Sequence, residues 1–175
     1  MTGIAGLGPF DEETGDLNAI IECPRNTGNK ITYDEKRDLF MLSGILPAGH
    51  VFPFDFGFIP GTLGGDGDPL DVLVLMDEPA FAGCLVPSRL IGVIEAEQTE
   101  RDGKTERNDR LIAIAAASKL HEGIKSINDL DALLVDQIEH FFISYNEAKG
   151  KKFKPLGRFA AVKAKKLVEE SRKKV

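Results

Sequence analysis

The sequence predicts an α+β domain in which short strands form a compact β-barrel or curled sheet and one or two helices follow at the C-terminal end. Three observations point there. Short apolar or alternating runs broken by turn residues fill the first two thirds of the chain, the spacing of apolar residues changes to three and four after Ser126, and no regular alternation of strands with helices signals a parallel sheet. The strand candidates are 17–23, 30–33, 38–46, 52–59 and 72–76, punctuated by Pro24, Asn26, Gly28, Gly44, Pro47, Gly49, Pro60 and Gly61. Two more, 90–96 and 110–115, flank the polar segment 97–109, which reads as an exposed loop. A helix over 126–145 follows from Ile127, Leu130, Leu134, Ile138, Phe141, Phe142 and Tyr145, with Ser126 and Asn128 as candidate caps. Residues 149–154 end it, and 158–174 form a second, more polar helix after Pro155 and Gly157.

With 175 residues the chain suits one domain, 1–175, with its core over about 17–154. Apolar residues at 42% and charged residues at 29% are the balance of a globular protein rather than a disordered one. A formal net charge of −6 repels a phosphate backbone, so nucleic acid is not expected as a partner. The basic stretch 163–174 includes Glu169 and Glu170 and reads as a solvated helix face. Cys23 and Cys84 form no CxxC motif, residues 1–10 lack a basic region followed by an apolar run, and no stretch is long and apolar enough to span a bilayer. The expectation is a cytoplasmic protein with reduced thiols and no membrane association.

The stretch that carries chemistry is Asp66-Gly67-Asp68-Pro69-Leu70-Asp71, followed by the apolar run 72–75. Two unit charges 4 Å apart repel by about 4 kcal/mol at an effective dielectric near 20, so three carboxylates in six residues are costly to gather unless a cation joins them. Oxygen-only ligands suit a hard ion such as Mg²⁺, with Mn²⁺ as a substitute, and no Cys/His set points to zinc. A hydrated turn explains the same residues equally well, since Asp-Gly and Asp-Pro are turn formers. Other motifs fail: an EF-hand from Asp66 would need Gly and Glu where Asp71 and Asp77 stand, and a P-loop ending at Lys104 would need Gly where Gln98 stands.

Asp66-Gly67-Asp68-Pro69-Leu70-Asp71-Val72 resembles the Asp-x-Asp-Pro-x-Asp-x signature of the soluble family I inorganic pyrophosphatases. Further likenesses occur in family order: Ile21-Glu22-Cys23-Pro24 with Asn29-Lys30, then Phe52-Pro53-Phe54-Asp55-Phe56-Gly57-Phe58-Ile59-Pro60, then Ser126-Ile127-Asn128-Asp129-Leu130 leading to His140-Phe141-Phe142-Ile143-Ser144-Tyr145. The resemblance implies a five-stranded OB-like barrel with flanking hairpins, a homo-oligomer (a hexamer in bacteria), and Mg²⁺-dependent hydrolysis of pyrophosphate to two orthophosphates by a metal-activated water. It makes Asp66, Asp68 and Asp71 metal ligands, with Asp68 also general base. Glu22 becomes a supporting carboxylate, and Lys30 and Tyr145 become phosphate ligands.

The sequence also departs from the family pattern. Thr32, Ser43, Phe56 and Asn146 stand where the family has Glu, Arg, Tyr and Lys, with Arg37 near the second of these and Lys149, Lys151 and Lys152 near the last. Two later metal-binding Asp positions fall at Gln98 and Asn108, and Arg110 takes the place of a phosphate-binding Lys. The long segment between them offers Asp102 and Asp109 as alternative ligands. These changes leave two other expectations beside a pyrophosphatase: a related metal-dependent phosphohydrolase with another substrate, and a catalytically silent barrel that binds phosphate or a partner.

Overall fold

In the computed structural model, strand β1 (Leu17–Cys23) is buried along its whole length, so both of its edges need partners. One edge pairs antiparallel with β4 (Asp55–Phe58) and the other with the start of β6 (Leu85–Thr99). β4 pairs with β5 (Asp71–Leu75), β5 runs parallel to β8 (Arg110–Ala115), and β8 returns antiparallel to β6. The order β1-β4-β5-β8-β6 therefore closes on itself as a five-stranded ring, the OB-like barrel. Residues 3–174 are described; Met1, Thr2 and Val175, the ends of the expected unit, lie outside the described residues.

Period-two alternation divides the ring between two apolar cores. Leu73, Leu75, Ile112 and Ile114 join Phe52, Phe56 and Phe142, whereas Val72, Val74, Leu111 and Ala113 join Leu17, Ala19 and Val168. The first core is covered by α1 (Ala132–Glu147) and the second by α2 (Ala161–Glu170). A separate hairpin, β2 (Asn29–Asp34) and β3 (Leu39–Ile45), stands beside the ring.

Three expectations are corrected. Segment 97–109 is not a loop: β6 continues to Thr99, turns at Gly103 (φ +87°), and returns as β7 (Thr105–Arg107). Thr99 and Thr105 pair across this hairpin, which is polar because much of it faces water. The region 158–174 is not all helix, because β9 (Lys152–Ala160) pairs with β6 before α2 begins. Pro155 fits that strand at a register shift between Glu95 and Ala96, where a missing N–H does little harm. The long helix also starts later than 126. Ser126 caps a single 3₁₀ turn, Ile127–Asp129, through a capping box, and Asp131 caps α1 by accepting the Leu133 N–H at 2.8 Å.

Both cysteines are free, Cys23 buried and Cys84 half-buried. Among the described residues no helix is long and apolar enough to cross a membrane.

Gly57 of β4 marks the tightest closure of the ring, since a Cβ there would meet the Ile20 carbonyl oxygen of β1 at 1.8 Å. Gly57→Ala should therefore separate β1 from β4. Overpacking of this kind costs about 1–3 kcal/mol or more, so thermal unfolding followed by circular dichroism should show a fall of roughly 4–10 °C.

Candidate active site

The signature loop is shaped by its own backbone bonds. Buried Thr62 donates its hydroxyl to the Ile59 carbonyl (2.6 Å) and accepts the Leu70 N–H (3.0 Å), while Gly64 N–H donates to the Asp68 carbonyl (2.7 Å). Gly67 takes φ +88°, a conformation that favours glycine, and Asp66 accepts the Asp68 N–H at 3.1 Å. These bonds realise the turn reading, and the turn carries Asp66 and Asp68 to the cavity.

Asp71 opens β5 and Arg110 opens β8, and parallel register sets them opposite each other. Arg110 Nη1 donates to Asp71 Oδ2 at 2.6 Å and also to Asn108 Oδ1. Its guanidinium lies 4.8 Å from the Phe142 ring centre and 5.2 Å from that of Phe153. Across the cavity, Glu22 of β1 accepts the Tyr33 N–H at 2.8 Å, and Lys30 of β2 places its ammonium 4.0 Å from Glu22 and 4.8 Å from the Phe56 ring centre. Tyr145 comes from the last turn of α1, and Lys149 from just beyond it. Glu22, Lys30, Asp71, Arg110, Tyr145 and Lys149, with Asp66, Asp68 and Lys151, line one cavity of ≈ 1150 Å³.

Burial and mutual repulsion mark the charges. Burial lifts Glu22 to about 7, with Asp71 and Asp68 adding to the rise against the pull of Lys30. Burial also opposes the Lys30 ammonium, but Glu22 and the other anions outweigh it and hold its proton more firmly than usual. Asp66 and Asp68 sit above the usual carboxylate range, through burial first and, beyond it, the charges of their neighbours. Burial raises the Tyr145 phenol, and burial together with Lys30, Lys151 and Arg110 lowers Lys149 to about 8.

Of the residues singled out in the sequence, Glu22, Lys30, Asp66, Asp68, Asp71, Arg110 and Tyr145 meet at the cavity. Asp102 and Asp109 do not. Asp102 is exposed at the hairpin tip, accepting the Lys104 N–H at 2.9 Å. Asp109, just before β8, is buried away from that cavity, where it accepts the Ala96 N–H (2.9 Å) and binds Arg107 (3.0 Å). Gln98 and Asn108 do reach the cavity and bond to each other at 2.9 Å. Thr32 and Ser43 likewise share a hydrogen bond of 2.8 Å, and Arg37 is held by Asp34 at the rim. Sequence reasoning missed Glu100, which anchors Lys151 at 2.7 Å; that pairing depends on the β6–β7 hairpin and leaves no local signal.

Among the described residues no three His, Cys, Asp or Glu side chains form a ready-made metal cage. The donor set nonetheless fits Mg²⁺, which takes one or two carboxylates, keeps several waters and completes its shell with substrate phosphate. Burial first, and the neighbouring carboxylates after it, disfavour the charges of Asp66 and Asp68, and such an ion would offset both.

A wall of carboxylates facing ammonium, guanidinium and phenol groups defines a site for a polyanion handled with a cation, the equipment of a phosphohydrolase. The chain belongs to the inorganic pyrophosphatase family, whose sequence model matches residues 19–175. It is 38% identical over 149 residues to an inorganic pyrophosphatase of Synechocystis, covering 85% of each chain. It is 33% identical over 174 residues to one from Aeropyrum pernix, covering 98% of this chain and 96% of that one. The crystal structure of inorganic pyrophosphatase from Thermus thermophilus superposes with a TM-score of 0.84 at 32% identity, over 97% of this chain and 95% of that one.

The raised Glu22 has a consequence for stability. A carboxyl whose pKa rises on folding binds more protons in the folded state, so its favourable share is full below the unfolded value, 4.5, and is lost as pH rises through about 7. Lys30, Asp68 and Asp71 are the charged groups that act on it. In chelator, the stability of the wild type relative to Glu22→Gln should fall by roughly 1–3 kcal/mol between pH 5 and 7.5 in urea denaturation. A pH-independent difference would contradict the assignment.

Proposed function

We propose that this chain hydrolyses inorganic pyrophosphate to two orthophosphates in a Mg²⁺-dependent reaction in the cytoplasm. The observation that carries the proposal is the gathering, in one cavity, of Asp66, Asp68 and Asp71 with Lys30, Arg110, Tyr145, Lys149 and Lys151. Asp66, Asp68 and Asp71 would hold the metal, with Mn²⁺ as a substitute. When bound, Mg²⁺ neutralises phosphate oxygens and acidifies water.

The remaining chemistry belongs to side chains. An Asp68 carboxylate oxygen takes the proton of the attacking water. Lys30, Arg110 and Tyr145 bind phosphate oxygens, so the charge that builds on the leaving phosphate meets fixed donors. Glu22 positions Lys30. Removal of one such donor costs about 10²–10³-fold elsewhere, so Thr32, Ser43, Phe56, Gln98, Asn108 and Asn146 support an enzyme slower than one with the full family set.

Phosphate release from pyrophosphate with Mg²⁺, beside a panel of organic phosphates, should show pyrophosphate preferred. Asp68→Asn should lower the rate at least about a hundredfold, because it removes both a metal ligand and a proton acceptor. Calorimetry should detect Mg²⁺ binding that is weakened by Asp66→Asn or Asp71→Asn. No hydrolysis with Mg²⁺ or Mn²⁺ from pH 6 to 9 would leave the silent barrel as the reading.

A homo-oligomer is proposed as well, a hexamer by the family resemblance, and large exposed side chains support it. Leu39, Leu42 and Ile45 on β3 are 59%, 60% and 77% exposed, and Leu133 on α1 is 63% exposed. Light scattering at micromolar concentration should give a mass well above the 19.1 kDa of one chain. A monomer would refute assembly and leave the site untouched.

A further inference from the structure

Most of the cations around the cavity already have a carboxylate within 4.0 Å. Lys30 has Glu22, Arg37 has Asp34, Lys104 has Glu106, Arg110 has Asp71, Lys151 has Glu100 and Lys173 has Glu35. Among the described residues only two cavity-lining cations lack such a partner, Lys36 and Lys149. Lys36 is exposed to bulk water, whereas Lys149 is half-buried. We infer that Lys149 is a further phosphate-recognition cation of this chain, the ammonium kept free of carboxylates so that it can bind a phosphate group of the substrate. The inference rests on the pyrophosphatase reading for its substrate but not for its anion.

Geometry supports the assignment. Lys149 Nζ lies 2.5 Å from Tyr145 Oη and 4.0 Å from the centre of the Tyr145 ring. One of its three donors is thereby committed to the phenol and two remain for an incoming acceptor. Ammonium and phenol together present two adjacent donors to one phosphate, since the Tyr145 hydroxyl keeps its own proton to give.

The backbone of Lys149 is held from two sides. Its N–H donates to the Asn146 carbonyl at 2.9 Å, and its carbonyl accepts from Arg101 Nε of the β6–β7 hairpin at 2.6 Å. Gly150 follows at φ +73°, turning the chain so that Lys149 and Lys151 both reach the cavity. Asn146 takes a different part. Its side-chain amide is buried and donates back to the Phe142 carbonyl at 2.8 Å, closing the helix rather than serving an anion.

The surroundings of Lys149 are those of an anion site. Burial, then Lys30 of β2, Lys151 just before β9 and Arg110 of β8, disfavour its charge, whereas Cys23 of β1 favours it. A phosphate bound among these groups would remove the repulsion and restore the proton.

The test compares wild type, Lys149→Ala, Lys149→Arg and Lys36→Ala, each first checked for native thermal unfolding. Calorimetric titration with inorganic phosphate in Mg²⁺ buffer and steady-state hydrolysis of pyrophosphate are then measured. A charge-assisted phosphate contact is worth about 10–100-fold, so Lys149→Ala should weaken phosphate binding and raise KM by at least about tenfold. Lys149→Arg should recover most of the loss, and Lys36→Ala should match the wild type. KM of the wild type should rise as pH passes through about 8, and Lys149→Ala should lack that rise. A purely structural role would move neither the pH profile nor the rescue by Arg. Wild-type phosphate affinity in Lys149→Ala, or an equal loss in Lys36→Ala, would overturn the inference. Should the wild type hydrolyse nothing, the pyrophosphatase reading fails, yet the phosphate titration still decides the role of Lys149.

Discussion

The Asp71–Arg110 pair joins the fold to the site. It sits on the first rung of the one parallel strand pair in the ring, so closing β5 against β8 brings the two charges together. Arg110 is 3% exposed, and a guanidinium so placed must be compensated. Asp71, Asn108 and the faces of Phe142 and Phe153 supply that compensation, although Arg110 Nε has no partner among the described residues. Removing one member of a buried pair typically costs about 3–5 kcal/mol, because the other charge remains stranded. A register slip in β5 or β8 would carry the same penalty. Electrostatics and strand pairing thus specify one arrangement.

From this pair the cavity spreads over several elements. The carboxylate wall comes from the β4–β5 connection, which Thr62 and Gly67 hold in a single conformation. The cationic wall comes from β2, β8 and the α1–β9 turn, drawn from far-apart parts of the chain. Each cation except Lys149 and Lys36 leans on an anion. Most of the site is therefore neutralised before any ligand arrives, and what remains unbalanced is the excess of carboxylate at Asp66 and Asp68 and of ammonium at Lys149. A metal ion and a phosphate group are of the right sign for those two excesses.

How much of this was legible in the sequence follows the range of the interactions. Strands β1, β2, β3, β5 and β8 announced themselves through local alternation or apolar runs, and the three aspartates through their spacing in one loop. The hairpin at 97–109 and strand β9 were hidden because both depend on pairing with the long β6, and their composition is polar or interrupted by Pro155 and Gly157. The places of Asp102 and Asp109 could not be told without that hairpin. Once it forms, Asp109 turns to the Ala96 N–H and Arg107 while Arg110 faces the cavity.

The same hairpin explains how the site can stand with neutral groups where the family has charged ones. Gln98 and Asn108 lie near each other on β6 and the approach to β8, and they satisfy each other at 2.9 Å. Two carboxylates at that separation would repel strongly in a partly buried cavity unless a cation lay between them. With amides in their place the hairpin closes without a cation. Asn108 also accepts from Arg110, so the guanidinium is held in its position before substrate arrives. Dipoles in place of charge give a contact that is built in on folding, and the positive charge opposite Asp71 belongs permanently to the protein.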